Sequence, residues 1–497
     1  MITIQLTPIS YRIPVTAKGQ LIGTPLYLHS YLKRFNHTRW DNRSHQSVLM
    51  RRYVHYDDKS AMLFLPRYDF DAFCQMLRDN SIVYTTEDLP LQRGEDVEIR
   101  LKPHVKPRDQ RQADAIEYLV SSTDPHRGLS AQPGFGKTVC TGICFSRLSK
   151  RTIVCVAGLV DQWKRSIFEF TELTEDDVYI IQGAVSLDKL LQQIDKTIFP
   201  KIILASLGTL RAYATGDDAY EDYPPFTELF DRLRVGIKVI DEAHLNFYLT
   251  LMIDLQTNAA INIALTATFD RGDPQVKRIF DSYYPHLMRF GEDIIDRYVD
   301  VYSYSYSLGG GISSRAYLTP NGYNHSKLEE YLIRRTPRFL KRIYEKVYLP
   351  IIFGYYVNRR RFPGEKLLIL FSTKVMCEWM QAKLTEDLPT QENFNICVYT
   401  YKTDDSVLTD ADIIISTLGS AGTGRDLKNL ITVLMTIATG SDTTNRQTLG
   451  RLRKLSGDVT PVYVYTWNSD IPQHNVYQSG RRTTYMSRGK SYQEITV

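Results

Sequence analysis

The stretch SAQPGFGKTVCTGICFSRL, residues 130–148, sets Gly134 and Gly136 just ahead of Lys137 and Thr138, and apolar residues at helical spacing follow. Glycines there let backbone N–H groups turn inward, and a helix start adds partial positive charge, so the segment makes a cradle for an anion. Lys137 is placed to reach terminal phosphates, and the Thr138 hydroxyl is the kind of oxygen ligand that Mg²⁺ takes. The strict pattern, G-x-x-x-x-G-K-[ST], opens on glycine, whereas this chain has Ala131. A glycine turn before a helix can also be purely structural, so a second group is needed. VIDEAH, residues 239–244, supplies it by ending an apolar run in two carboxylates. Asp241 is placed to hold Mg²⁺, directly or through water, and Glu242 to align and deprotonate an attacking water. Alone, that pair reads as an acidic helix start. Together with Lys137 and Thr138, it points to hydrolysis at a nucleotide phosphate.

Such groups sit at the ends of strands, and the chain has the strands to carry them. TIVCVA, KIILAS, IKVIDEAH and INIALTAT alternate with helical stretches from about residue 105. Runs of Ile and Val without polar alternation suit a parallel sheet covered on both faces. VYSYSYSLGGGISSRAY, residues 301–317, breaks the rhythm and is a candidate linker or insertion. LLILFS, NICVYT, DIIIST, TVLMTI and VYVYTW then resume it. The expected class is α/β: an accessory domain over 1–104, a first parallel-sheet domain over 105–300 and a second over 301–497.

With 43% hydrophobic residues in 497, the chain can bury several cores. Net charge is only +5, from 61 Lys and Arg against 56 Asp and Glu, so a basic surface must come from local segregation. The six cysteines show no metal-ligand spacing and fit a reducing compartment. No run is long and apolar enough for a membrane span and no signal peptide opens the chain, so a soluble cytoplasmic protein is expected, with no membrane partner.

A-x-x-G-x-G-K-T, D-E-A-H and the TAT of residues 266–268 resemble motifs I, II and III of superfamily 2 helicases, where alanine commonly opens the phosphate loop. LLILFSTKVMCEWM, DIIISTLGSAGTGRDL and QTLGRLRK resemble motifs IV, V and VI, in that order. The resemblance implies two tandem RecA-like domains that use ATP and Mg²⁺. By it, Gln447 and Arg451 face the nucleotide. The second basic position stays open between Arg453 and Lys454, since lysine does not reproduce a bidentate guanidinium contact. KPRDQRQADAIEYL resembles the adenine-side motif, with Gln112 favoured by its spacing to Ala115 and Ile116 and Gln110 as the alternative. Asp426 is implied at the ribose, Gly424 at a close backbone approach, and His244, Thr266 and Thr268 in coupling the nucleotide to the tracked strand.

The same resemblance places Ser206, Thr209 and Thr417 as hydrogen-bond donors to phosphates of that strand. Trp163 is expected in the core. Residues 29–56 interleave Arg34, Arg39, Arg43 and Arg51 with aromatic rings, which suits a grip on duplex or branched DNA as well as it suits a solvated face. His29, His37 and His45 recur in this stretch but lack carboxylate or cysteine partners for a metal. A second basic run, residues 332–362, looks like a helix bearing charge along one face. Among family members, the compact motors typified by the phage branched-DNA helicases are most similar. No nuclease constellation of a restriction-type motor is present. The implied activity is ATP-driven, 3′→5′ translocation on DNA by a monomer, remodelling forks or Holliday junctions in a bacterial host's cytoplasm. Two rivals are a duplex translocase and a nucleotide-switched DNA clamp without net unwinding.

Overall fold

The structure is a computed structural model and describes residues 2–15, 25–41, 45–57, 60–132, 134–158, 160–195, 199–245, 247–267, 273–285, 288–291, 296–309, 312–320, 322–388, 394–400, 403–404, 406–421, 427–455 and 459–497. It divides into two compact units, residues 1–131 with 135–294, and residues 132–134 with 295–497. Among the described residues, no helix is long and apolar enough to cross a membrane.

The first unit holds, in chain order, β1 (Ile2–Leu6), β2 (Ser10–Pro14), β3 (Asn36–Asp41), β4 (Gln46–Arg52), β5 (His55–Asp57), β6 (Met62–Pro66) and β7 (Tyr84–Asp88). β8 (His126–Ser130), β9 (Thr152–Val156), β10 (Val178–Ile181), β11 (Ile202–Ser206), β12 (Ile237–Ile240), β13 (Ile261–Thr266) and β14 (Arg289–Phe290) follow. A five-stranded mixed sheet runs β5-β6-β2-β1-β7, and a seven-stranded parallel sheet runs β10-β11-β9-β12-β13-β8-β14. Ile153, Val154, Ile203, Leu204, Val239 and Ile263 are buried, as a parallel sheet clad on both faces requires. The two sheets share one core through the helix Phe247–Gln256. That helix is buried along nearly its whole length, and Ser10 Oγ donates to the Leu255 carbonyl at 2.9 Å.

The second unit holds β15 (Asp300–Tyr306), the short pair β16 (Leu318–Thr319) and β17 (Gly322–Tyr323), then β18 (Lys366–Phe371) and β19 (Ile396–Tyr399). β20 (Ile413–Thr417), β21 (Leu430–Met435), β22 (Val462–Asn468) and β23 (Ser491–Thr496) complete it. Its seven-stranded sheet is also all parallel, in the order β19-β20-β18-β21-β22-β15-β23.

One expectation is corrected here. The VYSYSY segment is a strand paired on both sides, with β22 and β23, and not a linker. Tyrosine favours strands, and alternation buries Val301 and Ser303 while the intervening rings pack at the sheet surface. The basic run of 332–362 is likewise broken: Pro337 opens its own helix, Pro337–Ile343, after Arg334 ends the preceding one. All six cysteines are buried thiols.

Candidate nucleotide site

β8 delivers the chain to the phosphate loop, and the helix Lys137–Leu148 leaves it. Gly134 and Gly136 have φ of +87° and +94°, a region that side chains rarely adopt. At Gly136 a Cβ would also lie 2.6 Å from Gln112 Nε2, so a side chain there would displace the Gln112 amide as well as strain the backbone. Gln112 is buried on the helix Gln110–Ser121, where it accepts from the Arg108 N–H at 2.7 Å and donates to the Phe135 carbonyl. Gln110 turns away and donates to Asp114 at 2.8 Å. Lys137 Nζ donates to the Ala131 carbonyl at 2.9 Å, and its nearest carboxylate, Glu242 Oε1, lies 3.9 Å away. The ammonium is thus held over the loop without a tight counter-charge.

Asp241 and Glu242 follow β12 directly. Asp241 Oδ2 accepts from the Trp163 indole N–H at 2.7 Å. Burial, then the neighbouring Glu242 charge, push the Asp241 carboxyl up to about 6, against the Trp163 bond and the Lys137 charge. Glu242 has φ of +50°, a strained conformation for a residue with a Cβ. His244 Nδ1 stands 3.2 Å from Glu242 Oε2 and shares a hydrogen bond with Thr266 Oγ1 at 2.8 Å. The Ala243 N–H donates to the Leu265 carbonyl, and the Ala131 N–H to that of Thr266. Phosphate loop, carboxylates and the end of β13 therefore form one bonded assembly. A glycine-shaped cradle, an ammonium, a hydroxyl and a carboxylate fit a nucleotide phosphate with Mg²⁺. Thr138 and Asp241 would hold the cation, which would draw charge from the phosphate oxygens.

Trp163 was expected to pack in the core; it does, at 5% exposure, but it also grips Asp241. Its function was legible only in the rule that a buried indole N–H finds a partner. Sequence reasoning also missed Lys238 and Asp254. The two pair in full burial, with Lys238 Nζ donating to Thr257 Oγ1 at 2.8 Å and the Tyr283 hydroxyl donating to Asp254 Oδ2 at 2.7 Å.

Ser206 ends β11 and caps the helix Leu207–Ala214 without a side-chain bond into it. Thr209 Oγ1 accepts from the Gly183 N–H at 2.8 Å. Arg34 is bonded to Asp69 at 2.9 Å and lies over the Tyr31 ring, while Arg39 and Arg51 are exposed. In the second unit, Thr417 ends β20 and bonds Ser420 Oγ at 2.8 Å. Gln447 lies on the helix Asp442–Leu449, and Arg451 follows in the turn after Gly450. Arg453 folds back to donate to the Gly450 carbonyl, and Lys454 is exposed. Arg43, Thr268, Gly424 and Asp426 lie outside the described residues.

No family model matches this chain, and no curated relative does. Solved structures share its architecture. A fragment assigned to the HsdR subunit of a type I restriction enzyme from Vibrio vulnificus superposes with a TM-score of 0.50 at 15% identity, over 93% of this chain and 78% of that one. The Type ISP restriction-modification enzyme LlaBIII, solved bound to DNA, gives 0.53 at 13% identity, over 79% of this chain and 31% of its own. The chain shares their fold, two tandem RecA-like parallel-sheet domains. T4 UvsW aligns over 100% of this chain and 99% of its own, with 12% identity and a TM-score of 0.36.

Proposed function

We propose that this chain is an ATP-dependent DNA motor of superfamily 2 that moves along DNA and remodels forks or four-way junctions. The observation that carries the ATPase reading is the linked set of Lys137, Glu242, His244 and Thr266, with Asp241 held by Trp163 beside it, at a loop whose Gly134 and Gly136 have positive φ. In this reading Lys137 binds terminal phosphate oxygens, Thr138 and Asp241 hold Mg²⁺, and Glu242 takes a proton from the attacking water. Gln112 supports the loop on the base side, and Gln447, Arg451 and either Arg453 or Lys454 contribute from the second RecA-like unit. Gly424 and Asp426 serve the ribose side. His244 and Thr266, with Thr268 beyond them, pass the state of the nucleotide to the strand-binding loops. Ser206, Thr209 and Thr417 contact phosphates of the tracked strand.

The accessory sheet of residues 1–104, with Arg34, Arg39, Arg43 and Arg51, contributes the grip on branched DNA. The fold shared with LlaBIII, which is bound to DNA in its own structure, supports DNA as the track. Preference for branched DNA rests on the sequence likeness to the phage branched-DNA helicases.

The test is ATPase rate and strand separation with single strands, plain duplex, forks, four-way junctions and RNA, at one fixed salt concentration. Forks and junctions are expected to stimulate most. Equal stimulation by RNA, or turnover without strand movement, would favour the clamp or another rival. Lys137→Ala is expected to abolish hydrolysis and unwinding together; unwinding by that variant would overturn the assignment of the loop.

A further inference from the structure

β3 and β4 form an antiparallel ribbon that joins neither sheet of its unit. Exposed large apolar side chains are scattered singly elsewhere among the described residues, but four gather here. Trp40 is 57% exposed, Leu49 47%, Met50 51% and Val48 44%. A lone two-stranded ribbon is marginal in water, so other contacts must hold it. They lie at its base. His37 Nε2 lies 3.0 Å from the Asp273 carboxylate and the Thr38 N–H donates to Gln275 Oε1 at 2.9 Å, while Arg52 Nε ties the two strands together by donating to Asn36 Oδ1 at 2.9 Å. Tyr53, directly after β4, stacks on Phe247 with ring centroids 5.4 Å apart.

Those anchors belong to two particular helices. Asp273 caps the helix Pro274–Tyr283, and Phe247 opens the helix Phe247–Gln256. One follows the strand that ends in Thr266, and the other follows Asp241 to His244. The ribbon is therefore mounted on the elements that leave the nucleotide site, while its outer half stands in solvent.

The register sets Trp40 opposite Ser47, Arg39 opposite Val48 and Thr38 opposite Leu49. Side chains alternate along a strand, so Trp40 and Leu49 share one face and Arg39 lies on the other. The two strands carry Arg39, Arg51 and Arg52 against Asp41 as the one acid. A flat indole with an aliphatic neighbour matches the face of a base pair, and arginines match the phosphates on either side. A purely apolar protein partner would leave those arginines without counter-charge.

We propose that this ribbon is a duplex-end contact: Trp40, with Leu49 beside it, packs on the last base pair of a DNA duplex where the strands part, and Arg39 and Arg51 neutralise flanking phosphates. This rests on the DNA-motor reading above and adds the place at which the duplex is held.

The test uses the full chain and a fork with 2-aminopurine in the pair beside the branch. Wild-type protein without ATP is expected to lower 2-aminopurine fluorescence as the Trp40 indole stacks on that pair. Trp40→Ala should lose this quenching and separate strands roughly tenfold more slowly, whereas Trp40→Phe, which keeps a ring, should restore most of both. Stimulation of the ATPase by single-stranded DNA separates the two levels of failure. If no DNA stimulates the wild type, the motor reading falls and the ribbon proposal falls with it. If DNA stimulates the wild type, but the double variant Trp40→Ala/Leu49→Ala quenches the signal and opens forks at the wild-type rate, the ribbon proposal alone is overturned.

Discussion

Trp163 gives its indole N–H to Asp241, the carboxylate proposed above to hold Mg²⁺, and this one bond sets a measurable property of the site. It stabilises ionised Asp241 against burial and the nearby Glu242 charge, which together push the carboxyl up to about 6. Trp163→Phe is expected to raise that pKa further, so the acid limb of the ATPase pH profile should move to higher pH. Half-maximal turnover should then need roughly tenfold more Mg²⁺, the scale of one charge-assisted hydrogen bond. A raised acid pKa also means that the fold takes up a proton more readily than the unfolded chain. The Asp241 contribution to stability is therefore complete below 3.8 and lost as pH rises through about 6. Asp241→Asn should stabilise the nucleotide-free protein at pH 8 by about 1–3 kcal/mol. The gain should shrink towards pH 4, which urea midpoints across that range would show. Glu242→Gln should keep ATP and DNA binding but stop turnover, as equilibrium binding beside a steady-state assay would reveal. The phosphate loop and carboxylates were legible because their chemistry is compressed into a few adjacent residues. Trp163 was not, because its partner lies 78 positions away.

At the scale of elements, the helix Phe247–Gln256 matters most. Its Asp254 pairs with Lys238 on β12, three residues before Asp241, and Tyr283 of the helix Pro274–Tyr283 completes the cluster. The strand that presents the carboxylates is thereby tied to both helices that seat the ribbon. Removing one partner leaves a buried charge alone, so Asp254→Leu should cost about 3–5 kcal/mol in urea unfolding. Lys238→Met/Asp254→Leu should recover most of that loss, since no lone charge remains. The parallel strands were readable because burial on both faces demands unbroken Ile, Val and Leu, as in β9 and β11. β15 was misread because serine and tyrosine mimic a turn, and β23 went unread because an exposed edge strand such as SYQEIT needs no apolar run. The amino-terminal sheet was hidden too, since its alternation is short and its core is completed by a helix more than two hundred residues away.

For the whole molecule, that shared core has a consequence for truncation. Ile4, Tyr11, Ile13 and Leu65 pack in the same cluster as Leu251, Met252 and Leu255. Deleting residues 1–88 would bare the apolar flank of the helix Phe247–Gln256, and the product is expected to aggregate rather than run as a smaller motor on size-exclusion chromatography. The buried thiols have a different use. Burial pushes Cys140, Cys144, Cys155 and Cys377 up to about 12 and Cys397 to about 11, and Cys74 is enclosed as well. A maleimide dye reacts with exposed thiolate, so the native chain is already close to silent towards such labels. One cysteine introduced on each compact unit would carry a donor and an acceptor without stripping the core of its own sulfur. Distances between the units could then be followed molecule by molecule, through successive rounds of turnover.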